Sequence, residues 1–573
     1  MSLPITDSEL SFDVLNAIPH EIQRLLLNSG PIFPTEAQEH VIASALRSLR
    51  KKLEHAVLHT AEGHNEPRAS APYSQNSVDQ LQALVQRLSV LRSPVKRLPS
   101  EILTLIFDLC VVHGSDPLPV SAQGPLYLAR VCRTWRDNAH AYPFLWTYIN
   151  FYFSEACDDR DKDVSRVGPA IDMWLERSST LPISLTFTDL RVHDLATDGL
   201  VHLLVDRLRN NSCRWKSLSL QLSCRYLPQL FHFTPCDLKA LEHLSITGYI
   251  LEQRAVNVTT PHLDLTSATN LKSLAYSGPG RSGGDTIDVD WDRLSEVSFE
   301  FNPHAGASFT VSRQLRQLSQ CHNITTCSLG VSLPVRFASS DQQRITLPCL
   351  RTLRVRRLAP RSHACSTVNP LVLPQLQTLE IDAAVLVCWN VRWHDRNFSN
   401  LLARSSCSLE NLYIKDVYFP NEELLRCLAH CRELKSLCFL PCPRSQDILD
   451  ITEKLDVSRS TSGGPVASHL VPCLQELKLG CTRDSCLEGI MGMLISRVGA
   501  RADAAGVDAL RRFELVFFEL WHESLDARSV RLARLDSFRE RFRQCAANND
   551  NLEVSFVVEV PYLPEYIDVN PET

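Results

Sequence analysis

Between Leu350 and Val355 the chain reads LRTLRV, and this spacing of apolar residues decides the fold. Leu350 is followed by two other residues, then by Leu353, then by one other residue and Val355. Leu353 and Val355 alternate with Thr352 and Arg354 as in a half-buried strand, because successive side chains of a strand point to opposite faces. The stretch therefore predicts a short β-strand that enters from a turn.

The same spacing recurs along the chain, and successive copies start mostly about 23 to 33 residues apart, close to the leucine-rich-repeat period of about 20–29. One repeat cannot hide its leucines, whereas neighbours stacked on both sides can. The pattern predicts an α/β fold, a curved leucine-rich-repeat solenoid with a parallel sheet inside, and an unrelated α/β domain is the alternative. The copies begin at Trp215, Leu241, Leu271, Leu294, Ile324, Leu350, Leu376, Leu409, Leu434, Leu474 and Leu510, with a degenerate strand from Leu552.

The side chains that alternate with the buried ones are predicted to face the concave side of this solenoid. Their charges change sign from repeat to repeat, whereas a nucleic-acid groove should be basic throughout. We therefore predict that the surface collectively binds a target protein of mixed charge, although each residue alone also fits an ordinary solvated sheet position. The candidate residues are Glu296, Arg354, Arg356, Glu380, Asp382, Tyr413, Lys415 and Lys478.

Residues 94–152 have helical spacing instead. The segment reads RLPSEILTLIFDLC from Arg97 and LARVCRTWRDNA from Leu128, and it closes with PFLW. Pro99 fits the first turn of a helix because its ring fixes φ. Apolar residues recur at helical spacing in the first two parts, and the third supplies bulky anchors, so the segment predicts a bundle of three short helices.

These motifs together resemble an F-box, specifically the F-box-like segments of mushroom-type (basidiomycete) fungal proteins that also carry leucine-rich repeats. In that family the first helix docks on the Skp-type adaptor of a cullin–RING ubiquitin ligase. The resemblance implies adaptor contacts at Leu98, Pro99, Ile102, Leu103 and Ile106. It also implies a bundle core of Phe107, Leu128, Val131, Cys132, Trp135 and Trp146. The loop at residues 113–125 is longer than in compact F-boxes, and a helical cap on a larger domain is the alternative.

The composition limits the partners of the chain. Its 573 residues are too many for one compact core, so several units are predicted. The net charge of −6 favours neither nucleic acid nor an anionic membrane. The start of the chain lacks the features of a signal peptide, and no apolar run approaches the ~20 residues of a membrane span. The 20 cysteines include no CxxC pair, so we predict reduced thiols, no metal, no cofactor, and residence in the cytoplasm, the nucleus or both.

Composition and periodicity also suggest where the chain divides. Heptad stripes near the start predict two helices that form a hairpin or pair with a second chain. The predicted parts are N-terminal helices in 1–93 with a polar linker near 60–77, the F-box-like domain in 94–152, a linker in 153–170, the solenoid in 171–560 and a C-terminal tail in 561–573.

A glycine-rich loop, Gly278–Gly284, fits both the GxGxxG and the GxSxG pattern. Both patterns need a helix directly after the loop, and DTIDVDWD follows, which alternates like a strand. We therefore predict a non-catalytic chain. With the resemblance, the sequence implies a substrate-recognition subunit of an SCF-type ubiquitin ligase. The alternatives are an interaction scaffold without ligase association and a hydrolase that uses Ser282.

Overall fold

In the computed structural model, the chain consists of two compact units. The first comprises Met1–Tyr148 and Pro169–Leu181, and the second comprises Ile149–Gly168 and Pro182–Thr573. The structure describes residues 18–27, 35–62, 75–91, 98–111, 124–153, 160–189, 205–207, 209–223, 226, 238–249, 263–277, 287–299, 311–330, 344–356, 368–383, 395–417, 420–440, 448–459, 469–481, 483–518, 525–549 and 551–559.

The described part of the first unit is helical. Its helices are α1 His20–Leu27, α2 Glu36–Glu62, α3 Gln75–Leu91, α4 Ser100–Cys110, α5 Pro125–Leu128, α6 Arg133–Ala141, a 3-10 helix at Pro143–Trp146, and the C-terminal half of α7 Arg160–Arg177. Helix α2 packs along α3, so the two predicted heptad stripes face each other within one chain. The shared apolar cluster contains Ile18, Ile22, Ile42, Leu46, Leu49, Ala56, Val78, Leu81, Leu84 and Leu88.

The predicted count of three helices in the F-box-like segment is wrong. Its described residues form α4, α5, α6 and the 3-10 helix, which are four separate segments. Pro125 opens the four-residue α5, and Pro143 opens the 3-10 helix. A proline ring fixes φ and removes the backbone N–H, so it favours the first turn of a new segment over the interior of a longer helix.

Aromatic side chains fill the space between these segments. The rings of Phe107 and Trp135 join α4 to α6 with their centroids 5.1 Å apart. The indole Nε1 of Trp146 donates to the carbonyl oxygen of Ala139 at 2.8 Å, which ties the 3-10 helix to the end of α6. A buried indole N–H needs such a partner, since leaving it unpaired costs about 1–3 kcal/mol.

The second unit is built on strands. They are β1 Tyr148–Phe153, β2 Ile183–Asp189, β3 Trp215–Ser223, β4 His243–Tyr249, β5 Leu263–Asp264, β6 Ser273–Ser277, β7 Ile287–Asp288, β8 Glu296–Phe299, β9 Thr326–Gly330, β10 Ile345–Thr346, β11 Thr352–Arg356, β12 Leu371–Val372, β13 Thr378–Asp382, β14 Asn411–Lys415, β15 Ser436–Leu440, β16 Glu476–Cys481, β17 Arg512–Phe518 and β18 Glu553–Glu559.

Fourteen of these strands form one open sheet in the order β1-β2-β3-β4-β6-β8-β9-β11-β13-β14-β15-β16-β17-β18. Every described pairing between neighbours from β2 to β18 is parallel. The short strands form two further ladders, β5 with β7 and β10 with β12. The predicted α/β class with a long parallel sheet is therefore confirmed.

The spacing of the repeats sets the register of the sheet. In β11, Leu353 and Val355 are fully buried, whereas the three residues that alternate with them are half-buried. One position before each strand of the long sheet from β4 to β17, the backbone N–H bonds to the preceding repeat, as Gln377 does to the carbonyl oxygen of Arg351 at 2.9 Å. Glu410 repeats this bond to Gln377 at 2.8 Å. The same residue of each repeat thus pairs with its counterpart, and the leucines stack in rows.

Helices connect the strands of the second unit. Their bounds are α8 Val311–Leu318, α9 Asp395–Ser405, α10 Asn421–Ala429, α11 Leu449–Leu455, α12 Leu487–Ser496, α13 Gly499–Ala505 and α14 Leu525–Ala547. None of the described helices combines the length and the apolar content that a membrane span requires. Residues 160–170, part of the predicted linker, lie in α7, and the predicted domain boundaries stay predictions.

Candidate functional site

Helix α4 presents a row of large apolar side chains to solvent. Ile102 is 42% exposed, Leu105 is 60% exposed and Leu109 is 86% exposed. Their spacing of three and four residues places them on one side of the helix. Leu103 and Phe107 occupy the opposite side, where both are buried. Apolar side chains gathered on an exposed surface mark an interaction site, because contact with a partner removes them from water.

The segments next to α4 add three more exposed apolar side chains. Tyr127 at α5 is 59% exposed, and Val131 and Phe144 are each 53% exposed. Helix α6 packs against α4, α5 and the 3-10 helix, so these segments belong to one small assembly. We name the following residues the exposed apolar set: Ile102, Leu105, Leu109, Tyr127, Val131 and Phe144.

The predicted adaptor contacts are split by the structure. Pro99 and Ile102 are exposed, and Leu98 and Ile106 are half-buried. Leu103 lies in the interior, where it is 1% exposed, and its N–H donates to the carbonyl oxygen of Pro99 at 3.0 Å. Four of these five side chains are thus accessible to a partner.

The predicted bundle core is split in a similar way. Phe107, Leu128 and Trp146 are buried. Cys132 and Trp135 are half-buried, and the Cys132 sulfur accepts the backbone N–H of Trp135 at 3.5 Å as the N-cap of α6. Val131 is exposed and belongs to the exposed apolar set instead.

Side chains of the second unit form a polar face on its long sheet. We define the polar face as the side chains that alternate with the buried apolar ones in β11 to β17. Register places one row of it across neighbouring strands: Arg354, Glu380, Tyr413, Cys438, Lys478 and Glu514. A second row contains Arg356, Asp382 and Lys415.

Opposite charges on adjacent strands pair within the first row. The Nε of Arg354 donates to Oε2 of Glu380 at 3.0 Å, and Nη2 of Arg356 lies 3.6 Å from the same oxygen. Further along, Nζ of Lys478 lies 2.7 Å from Glu514. Strands lie about 4.8 Å apart, so side chains of this length reach across one strand. Pairs at such accessible positions contribute about 0–1 kcal/mol each and leave the charges available to a partner.

Tyr413 stands between the two charged parts of this row. Its side chain is half-buried, and burial raises the pKa of the phenol, with nearby Cys438, Asp382, Asp416 and Glu380 adding to the shift. The hydroxyl therefore stays protonated at neutral pH and can donate a hydrogen bond. A large, rigid aromatic group with one polar tip is typical of the centre of a protein interface.

Glu296 is not brought together with the other predicted contacts. It is exposed on β8, and its register row continues through Thr326 to Thr352. The row that leads to Arg354 contains small side chains on this side of the sheet, namely Ser219, Ser245, Ala275, Ser298 and Ser328. The charged part of the polar face therefore begins at β11.

Sequence reasoning missed several residues of both surfaces. Leu105, Leu109, Tyr127 and Phe144 were not among the predicted adaptor contacts, and Glu514 was not among the predicted target contacts. The spacing of apolar residues placed Leu105 and Leu109 on a helix, but it did not show which side of that helix faces solvent. The alignment of Glu514 with Lys478 depends on the register of the strands, which the sequence alone does not reveal.

Catalytic motifs and metal-binding side chains are the remaining candidates for a functional site. The loop Gly278–Gly284, including Ser282, lies outside the described residues. Within the described ranges, His, Cys, Asp and Glu side chains form no group that could hold a metal ion. Burial raises the pKa of the Cys321 and Cys431 thiols to about 12, so both stay protonated at neutral pH.

Comparisons with known proteins add no relative. No protein-family model matches this sequence, and no curated protein shows a significant match to it. The proposed function is therefore based on the exposed apolar set and the polar face.

Proposed function

We propose that this protein is the substrate-recognition subunit of an SCF-type cullin–RING ubiquitin ligase. In this proposal, the F-box-like segment at residues 94–152 binds the Skp-type adaptor, and the repeats bind the target protein. The observation that carries the proposal is the exposure of Ile102, Leu105 and Leu109 along α4, the helix that follows the Leu-Pro motif.

Burial of the exposed apolar set against the adaptor would supply the affinity. Removing a leucine side chain from water contributes roughly 1.5–3 kcal/mol, and Leu105 and Leu109 are the most exposed of the large hydrophobic side chains on α4. The accessible adaptor contacts Pro99 and Ile102 precede them on the chain. The proposed surface comprises the exposed side of α4 together with Tyr127, Val131 and Phe144.

For the second unit we propose a curved leucine-rich-repeat solenoid whose polar face is concave. The long parallel sheet with its stacked rows of leucines supports this proposal. The mixed charge of the polar face favours a protein target over a nucleic acid, because a nucleic-acid surface would be basic throughout. Tyr413 and the charged residues around it would be the central contacts.

The mechanism in this proposal is positioning. The adaptor would hold one end of the complex and the polar face would hold the target, so ubiquitin transfer becomes effectively intramolecular. The chain itself would make and break no bond, and it would need no cofactor or metal. Its residues would contribute only binding energy and orientation.

Co-purification with a Skp-type adaptor tests the proposal. The wild-type chain should retain the adaptor, and the double variant Leu98→Asp with Pro99→Ala should lose it while its circular dichroism spectrum is unchanged. A wild-type chain that captures target proteins but never the adaptor or cullin would contradict the proposal. That result would instead support a leucine-rich-repeat interaction scaffold without ligase association.

A further inference from the structure

Two arginines on the polar face share one carboxylate. Among the described residues, Oε2 of Glu380 is the ion-pair partner of both Arg354 and Arg356, at 3.0 Å and 3.6 Å. In the neighbouring row, Asp382 lies between Arg356 and Lys415. At this end of the polar face, two arginines thus share the one carboxylate of Glu380. The Arg356 side chain is 44% exposed, so its guanidinium is accessible to a ligand.

On the other side of the arginine pair, strand β9 places a serine and a glycine beside the two arginines. Ser328 on β9 is the register partner of Arg354, and Gly330 is the register partner of Arg356. Ser328 is 7% exposed, and its Oγ has no hydrogen-bond partner in the part of the chain that the structure describes. A buried hydroxyl that lacks a hydrogen-bond partner destabilises the fold, and a bound group that pairs with it removes this cost. A ligand atom beside Arg354 would give this hydroxyl its partner.

Guanidinium and hydroxyl groups together recognise oxyanions. Arginine presents its N–H groups in a planar fork that matches carboxylate and phosphate, and a serine hydroxyl donates a further hydrogen bond. We propose that Arg354, Arg356 and Ser328 form a subsite for an oxyanion, the carboxylate or phosphate of a target-protein segment that lies on the polar face. That the oxyanion belongs to a target protein rests on the proposed function. The binding of an oxyanion by these residues does not depend on the adaptor.

The other acidic residues of the polar face favour a peptide over a nucleic acid. Asp382 and Glu514 would repel a chain of phosphates, whereas a peptide carries both signs of charge and can place one acidic group at the arginines. The Lys478–Glu514 pair at 2.7 Å is one cation for one carboxylate. Lys478 therefore serves as the matched control position on the same face.

Inorganic phosphate and acetate are the probes for this subsite. The melting temperature of the full chain is measured as each anion is added at constant ionic strength, with chloride as the reference. We expect phosphate or acetate to raise the melting temperature of the wild-type chain, and Arg356→Gln to weaken the apparent affinity roughly tenfold. Lys478→Gln should respond like the wild-type chain.

Ser328→Ala separates binding from folding. Because this variant removes a hydroxyl that has no hydrogen-bond partner among the described residues, it should fold at least as stably as the wild-type chain and still bind the anion more weakly. A stronger response to phosphate than to acetate would identify a phosphorylated side chain as the ligand, and the reverse would identify an acidic one. An equal anion response in wild type, Arg356→Gln and Lys478→Gln would overturn the inference. All three variants should retain the adaptor, so failure here is distinct from failure of the proposed function.

Discussion

Trp146 lies edge-on against Trp174, with ring centroids 4.8 Å apart and an interplanar angle of 75°. The guanidinium of Arg177, one turn further along α7, lies over the Trp146 ring at 4.4 Å from its centroid. The 3-10 helix of the F-box-like segment is thereby fixed to residues 169–181, which complete the first unit. Within the last motif of the segment, Trp146 is therefore a packing residue, whereas Phe144 stays exposed.

Trp146→Ala should therefore destabilise the first unit by about 3–5 kcal/mol, because truncating a buried aromatic side chain leaves a cavity. The variant also leaves the Ala139 carbonyl oxygen without its indole donor. Urea denaturation followed by far-ultraviolet circular dichroism measures the loss. Trp135→Ala is the control with a smaller expected loss, because Trp135 is half-buried. A Trp146→Ala midpoint equal to that of the wild-type chain would contradict the packing described.

The first unit should lose stability as the pH falls below about 6.5, the ordinary pKa of histidine. Burial lowers the pKa of His140, the nearby cations of Arg177 and Arg136 lower it further, and Asp137 opposes them. The unfolded chain therefore binds a proton more readily than the folded chain, so stability rises with pH across this window. Thermal melts of His140→Gln between pH 5 and 8 should be flatter than those of the wild-type chain. Identical slopes would show that His140 is not the responsible group.

Mutations on the two faces of the sheet should cause losses of stability that differ in size. Leu379 is 1% exposed, so Leu379→Ala should cost about 2–5 kcal/mol of stability. Its neighbour Glu380 lies on the polar face, and Glu380→Gln should cost at most about 1 kcal/mol. Chemical denaturation of the two variants checks the assignment. Similar losses for both would mean that the polar face is buried in solution.

A buried arginine holds the repeats around β16 together. The Arg497 guanidinium donates to the carbonyl oxygens of Leu455 at 2.7 Å, Val471 at 3.1 Å and Leu470 at 2.6 Å. Burial lowers its pKa to about 10, so the group stays charged at neutral pH and keeps all three bonds. Arg497→Met leaves these carbonyls without a donor and should cost about 3–5 kcal/mol.

Arg512 provides the comparison for that loss. It forms an exposed ion pair with Glu553 at 2.9 Å, so Arg512→Met should change stability by less than about 1 kcal/mol. Denaturant midpoints of the two methionine variants measure the difference. Equal losses would contradict the role given to Arg497.

The long sheet could be predicted from the sequence because its cause is local. Leu353 and Val355 are spaced as a strand needs, and every copy of the pattern repeats this spacing. The alternation in DTIDVDWD indicated a strand where β7 lies. The ladders of β5 with β7 and of β10 with β12 were not predicted, because β5, β10 and β12 have only two residues each, too few to show alternation. The order of the strands could be predicted because successive repeats stack. The side-chain pairs across strands, such as Arg354 with Glu380, could be identified only from the register of the structure.

The exposed apolar set was harder to predict, because α4 is apolar on more than one side. Apolar residues occupy most of its circumference, including Ile102, Leu103, Leu105, Ile106 and Phe107. Helical spacing alone does not reveal which side faces the bundle, because either side would be apolar enough. The burial of Leu103 and the exposure of Leu105 depend on contacts with α6, and these are tertiary. The helix count failed because the predicted second helix is divided into α5 and α6. Cys132 has an extended backbone between them and caps α6.

Adaptor affinity of two matched leucine variants tests the central claim most directly. Leu58 on α2 and Leu105 on α4 are both 60% exposed in the same unit, so replacing either with Asp has a similar effect on the folded chain alone. If α4 is the docking helix, Leu105→Asp should weaken binding to a purified Skp-type adaptor by about 2 kcal/mol or more, as loss of a central contact does. Leu58→Asp should bind like the wild-type chain.

Isothermal titration calorimetry with the full-length chain gives both dissociation constants under the same conditions. The account predicts a weakening of roughly thirtyfold for Leu105→Asp, which corresponds to about 2 kcal/mol, and no change for Leu58→Asp. Equal affinities for the wild-type chain and Leu105→Asp, or no adaptor binding by the wild-type chain, would contradict it.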